Sequence, residues 1–131
     1  MLGAIIGDIV GSRFEFKPTN DYDFDLFHSD CSVTDDSVCT CAIADAILHR
    51  KSYEDALREW GRKYPVVQGG YGGMFARWLF RPENLVDYRT GESAGRRVPY
   101  NSWGNGSAMR ASAVGWKFRT LEETEKVAEI S

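Results

Sequence analysis

The stretch "TDDSVCTCAIADAILH", residues 34 to 49, constrains this chain more than any other. Cys39, Ala42, Ile43 and Ala46 recur at the three- and four-residue spacing of one helical face, so they predict a buried stripe with Asp45 facing away from it. A helix of that length buries its stripe only against other elements. Strand-like alternation of polar and apolar residues is scarce along the rest of the chain, which makes the expected fold class all-α.

The remaining segments supply the partners. Residues 2 to 15 read as a helix despite Gly3, Gly7 and Gly11, which recur every fourth position and so line one face, a face able to approach another backbone closely. Residues 16 to 31, "FKPTNDYDFDLFHSDC", mix proline, asparagine and aspartates with aromatics and read as a long loop. Ser52 followed by Asp55 resembles a capping box, and the helix after it is expected to carry Leu57, Trp60 and Tyr64 inward until Pro65 stops it. Thr120 and Glu123 repeat that signature ahead of a helix from Leu121 to Ser131 that has no C-cap glycine. Between them lie a turn, "QGGYGG", an aromatic segment, "MFARWLF", and a polar loop from Pro82 to Asn105.

Size and charge narrow the function classes. A chain of 131 residues with 43% hydrophobic content is long enough for one domain with a core. Its net charge of −3, with arginines scattered, gives no basic field for a polyanion and argues against nonspecific nucleic-acid binding. The N-terminal apolar run is broken by Asp8 and lacks a basic leader, so neither a signal peptide nor a membrane span is expected. Cys31, Cys39 and Cys41 are odd in number and, with His28, show no zinc-ligand spacing, which favours reduced thiols and a cytoplasmic setting.

Three constellations can carry chemistry. Thr34, Asp35 and Asp36 either complement the N–H groups at a helix N-terminus or begin the oxygen shell of a hard dication. Asp8 and Glu15 lie seven apart on one side of a helix with Gly11 leaving space between them. They are either a surface pair or the wall of a site. Glu15, at the helix exit, is the better catalytic candidate, and Asp8 is expected to hydrogen-bond locally. The glycine-rich turns "QGGYGGMF" and "NSWGNGSAMR" each precede a segment that can be helical, where backbone N–H groups suit phosphate. Tyr71, Phe75 and Trp103 could stack on a base beside them.

Four stretches, "GAIIGDIVGSRFE", "TDDS", "GGYGGMF" and "GNGSAMR", occur in the order that resembles the ADP-ribosylglycohydrolase family, which includes the enzyme that reactivates ADP-ribosylated dinitrogenase reductase. The resemblance implies a compact all-α domain holding two Mg²⁺ or Mn²⁺ ions and removing ADP-ribose from a modified side chain. It makes Thr34, Asp35 and Asp36 ligands from the first half of a binuclear site and Glu15 the catalytic glutamate. Gly72 and Gly73, with Asn105, Gly106 and Ser107, then face the ADP-ribose.

The family pattern also has a second acidic cluster near its C-terminus, which is not found in this sequence. Glu122, Glu123 and Glu125 fall in a helical charge pattern that reads as a solvated face. The chain is therefore expected to be the N-terminal half of such a domain, whether a split half, a natural truncation or a fragment of a longer product, with apolar ends of the 34–49 and 121–131 helices left exposed and favouring a second chain or self-association. Two functions stay open: a metal-dependent hydrolase, or a catalytically impaired ADP-ribose-binding or crystallin-like structural protein on the same scaffold.

Overall fold

A computed structural model describes residues 1–80 and 102–131, so most of the polar loop expected from Pro82 to Asn105 lies outside the described residues. The helices are α1 (Leu2–Gly11), α2 (Asp35–His49), α3 (Tyr53–Lys63), α4 (Gly73–Phe80), α5 (Gly106–Met109), α6 (Ser112–Lys117) and α7 (Leu121–Ile130), with a 3-10 turn, Ser12–Phe14, after α1. No strand occurs among the described residues. The fold class is all-α, and none of these helices is long and apolar enough to cross a membrane.

The centre of the fold is α2. Thr34 holds an extended backbone and its hydroxyl accepts the Asp36 N–H at 3.2 Å, which starts the helix; Arg50, with φ of 55°, ends it in the left-handed region. The expected stripe is buried: Cys39, Ala42, Ile43 and Ala46 are each at most 2% exposed. Ser37, Val38 and Thr40 are buried as well, because α1, α3, α5 and α6 all pack on this helix. Thr40 reconciles its hydroxyl with the interior by donating to the Met109 carbonyl at 3.3 Å, which ties α5 to α2. Burying each large side chain here, Ile43, Leu79 and Val114 among them, stabilises the fold by about 1.5–3 kcal/mol. Cys39 is held as a neutral thiol, its pKa pushed up to about 12 chiefly by burial and then by the nearby Asp35 charge.

Asp45 faces off the stripe as expected, yet it is a junction. It accepts the Trp60 indole N–H at 3.0 Å, Lys51 Nζ at 3.0 Å and His49 Nδ1 at 2.6 Å, which stitches α2 to α3 and holds its carboxyl down at about 2. Ser52 caps α3 by accepting the Asp55 N–H at 3.3 Å, and Thr120 caps α7 by accepting the Glu123 N–H at 3.2 Å. Leu57 is buried and Trp60 half-buried, but Tyr64 is not inward. At Tyr64 the backbone leaves helical dihedrals (φ −125°, ψ 67°), so its ring swings out beside Trp60, with the Lys63 ammonium over both rings. Glu122, Glu123 and Glu125 are exposed, and so are Leu48, Leu121 and Ile130 at the helix ends.

The helical glycines differ in what surrounds them. The Gly3, Gly7 and Gly11 face of α1 approaches no other backbone: a methyl group built at any of them meets nothing within 4 Å. Among the described helices, the one that needs a glycine for close approach is α3. A methyl group at Gly61 would overlap Leu79 Cδ2 and lie 2.8 Å from Cδ1 and Cγ, and Leu79, on α4, is fully buried. Alanine gains about 1 kcal/mol of helix propensity over glycine, whereas overpacking a closed core costs about 1–3 kcal/mol. Gly61→Ala is therefore expected to lower the thermal unfolding midpoint, and a raised midpoint would show that α4 is free to retreat from α3.

Candidate functional site

The site begins at a joint between α1 and the start of α2. Asp8 Oδ2 accepts the backbone N–H of Thr34 at 3.1 Å and of Ser37 at 3.3 Å, while the Thr34 hydroxyl donates to Asp8 Oδ1. Helix N-termini leave several N–H groups without intrahelical partners, and a carboxylate placed there satisfies them and complements the dipole. The expectation that Asp8 bonds locally is thus corrected: its partners lie 26 to 29 residues away. No local signal reports such a contact. Ser12 adds a second tie, donating from Oγ to the Ile9 carbonyl at 2.8 Å and accepting the Ser32 N–H at 2.9 Å.

Around this joint lie two cavities that share Asp36. The smaller, about 320 Å³, is bounded by Gly7, Asp8, Gly11, Ser12, Glu15, Thr34 and Asp36. Gly11 does leave the opening between Asp8 and Glu15 that the sequence suggested. The larger, about 660 Å³, brings Asp35 and Asp36 together with Gly72 and Gly73 at the start of α4 and with Asn105, Gly106 and Ser107 around α5. Seven of the nine singled-out residues therefore line one cavity, and Glu15 and Thr34 line its neighbour. Gly69 and Gly70 stand outside the larger wall.

Of the three aromatic residues expected beside the glycine turns, two lie on the larger cavity. Phe75 and Trp103 line the larger cavity. Tyr71 does not: its ring stands edge-on to Phe75 and Phe80, at 5.9 Å from each, and its hydroxyl donates to the Tyr64 carbonyl at 2.7 Å. Arg110 was part of a quoted motif but was not singled out, and it is the cation that the described residues place on this wall. Its Nε donates to the Ser131 carbonyl at 3.2 Å.

Electrostatically the site is under-compensated. Among the described residues no ion pair reaches Asp8, Glu15, Asp35 or Asp36. Burial raises Asp35 to about 6, and the charges of Asp36, Glu15 and Asp8 push the same way; burial and then Asp8 raise Asp36. Among the described residues no cluster of three or more His, Cys, Asp or Glu side chains converges on one point. Two crowded carboxylates are still the donor chemistry that suits a hard dication. Thr34 retains one lone pair after donating to Asp8 and accepting from Asp36.

The profile of the ADP-ribosylglycohydrolase family matches residues 1–131, the whole chain. The chain belongs to the ADP-ribosylglycohydrolase family. No curated protein and no solved structure matches it. Residues of all four stretches that carry the resemblance thus line the two adjoining cavities: Asp35, Asp36, Gly72, Gly73, Phe75 and the Asn105–Ser107 segment the larger, and Asp8, Gly11, Glu15 and Thr34 the smaller.

The raised carboxyl makes a signed expectation. Because folded Asp35 holds its proton to about pH 6 and an unfolded aspartate only to about 3.8, the metal-free chain should lose stability as pH rises from 4 to 6. In chelator, Asp35→Asn is expected to flatten that loss and to exceed the parent at pH 7 by about 1 kcal/mol, after allowing for solvent screening. Urea unfolding across that range measures it; a less stable Asp35→Asn at pH 7 would show that the ionised carboxylate is favourably solvated.

Proposed function

We propose that this chain carries the substrate cavity and part of the metal site of a hydrolase that removes ADP-ribose from a modified side chain or a related conjugate. The observation that carries the reading is the meeting of an uncompensated acidic pair, Asp35 and Asp36, with two glycine-bearing helix starts on one cavity. In this reading Asp35 and Asp36 hold Mg²⁺ or Mn²⁺, with Thr34 contributing its remaining lone pair. When bound, such an ion supplies Lewis-acid polarisation and a water of lowered pKa.

The chain's own residues account for the rest. Backbone N–H groups at Gly73 and in the Asn105–Ser107 segment bind phosphate oxygens, with Arg110 adding positive charge to hold a diphosphate. Phe75 and Trp103 offer apolar faces for the adenine. Cleaving the bond at the ribose anomeric carbon passes through an oxocarbenium-like state, which negative charge nearby favours. Glu15, exposed at the end of the 3-10 turn and bordering the adjoining cavity, takes or returns the proton that moves between water and leaving group.

Release of ADP-ribose from modified arginine and serine peptides, with Mg²⁺ or Mn²⁺ supplied, tests the reading. Residual turnover is expected from a chain that carries part of the metal site, and Asp35→Ala and Asp36→Ala should each lower it by at least about 100-fold, since displaced metal ligands cost more than the 10- to 100-fold of their supporting partners. Calorimetric binding of free ADP-ribose that ignores metal, with no turnover in any condition, would instead assign a noncatalytic binding protein.

A further inference from the structure

Between α3 and α4 the chain makes a tight turn in which the Gly70 N–H donates to the Val67 carbonyl at 3.1 Å and Gly69 and Gly70 both take φ of +75°. Gln68 pins that turn from two sides. Its Nε2 donates to the Ser12 carbonyl at 3.1 Å, and its backbone N–H to the Val33 carbonyl at 3.3 Å. One of those acceptors leads into the segment bearing Glu15, and the other immediately precedes Thr34, Asp35 and Asp36.

The pinned turn ends against Glu15. A methyl group at Gly69 would overlap Glu15 Oε2 and lie 2.8 Å from Oε1, whereas one at Gly70 would meet nothing within 4 Å. We propose that Gly69 is a positioning residue, the seat against which the Glu15 carboxylate rests, and that Gln68 fixes the seat. This rests on the hydrolase reading above. The physical reason is the long, exposed glutamate side chain, which among the described residues has no side-chain hydrogen bond or ion pair to hold it. Proton transfer requires the carboxylate within about 3 Å of the group it serves. Excluded volume along one side limits where the carboxylate rests, and a side chain at position 69 would occupy that volume.

The neighbouring glycine supplies the control. Alanine in the left-handed region costs about 1–2 kcal/mol at either position, so Gly69→Ala and Gly70→Ala share the backbone penalty and differ in the contact with Glu15. Both variants of the full chain are expected to lose similar thermal stability. Gly69→Ala alone should lose turnover, at least tenfold in kcat with KM within twofold. In chain labelled with ¹³C at glutamate carboxyl groups, the Glu15 resonance, assigned with Glu15→Gln, should move in Gly69→Ala and stay in Gly70→Ala. Gln68→Leu, which keeps the glycine and removes the bond to Ser12, should move it too and serves if Gly69→Ala does not fold. Equal resonances in the two alanine variants would overturn the seat; a moved resonance with unchanged kcat would overturn its role in positioning. A parent chain without turnover defeats the hydrolase reading, and the resonance then decides the seat by itself.

Discussion

The contact on which the rest of the structure depends is the grip of Asp8 on the first turn of α2. One carboxylate from α1 satisfies the Thr34 and Ser37 N–H groups and accepts a hydrogen bond from the Thr34 hydroxyl. Hydrogen bonds to an ionised group contribute more than neutral ones, about 1.5–3 kcal/mol. Here they also fix geometry. Because Asp35 and Asp36 belong to the same first turn, the bond that docks α1 sets where both face. Glu15, one 3-10 turn beyond α1, arrives on the same side.

That arrangement concentrates negative charge at a place the packing does not neutralise. A helix start tolerates carboxylates, and Asp8 is bonded there, but Asp35 is half-buried beside three other acidic groups and holds its proton to about 6. The contrast with Asp45 is informative. There an indole, a lysine and a histidine surround one carboxylate and hold it down at about 2, which is how a structural carboxylate behaves. At the other end of the same helix the crowded carboxylates go without cationic partners among the described residues. Strain of this kind is characteristic of sites shaped for a ligand.

What the sequence showed in advance follows the range of the interactions involved. The α2 stripe, the Ser52 and Thr120 caps and the exposed glutamates of α7 are all local patterns, and each was legible because helical spacing alone generates it. The motif residues were legible through resemblance. The Asp8 joint, the two-sided anchoring of Gln68 and the role of Asp45 join residues 15 to 56 positions apart, and no local rule reports them. The reading of Gly3, Gly7 and Gly11 as a packing face failed for the same reason: periodicity identifies a face but not its neighbour. Tyr64 turned outward because the helix ended one residue earlier than its spacing required.

In the proposed reading the first turn of α2 presents its acidic pair to a divalent cation. Anomalous diffraction from a crystal soaked in Mn²⁺ tests it most directly. A manganese peak is expected within coordinating distance of Asp35 and Asp36 carboxylate oxygens. Ordered Asp35 and Asp36 side chains turned to solvent, with no such peak beside them, would contradict it.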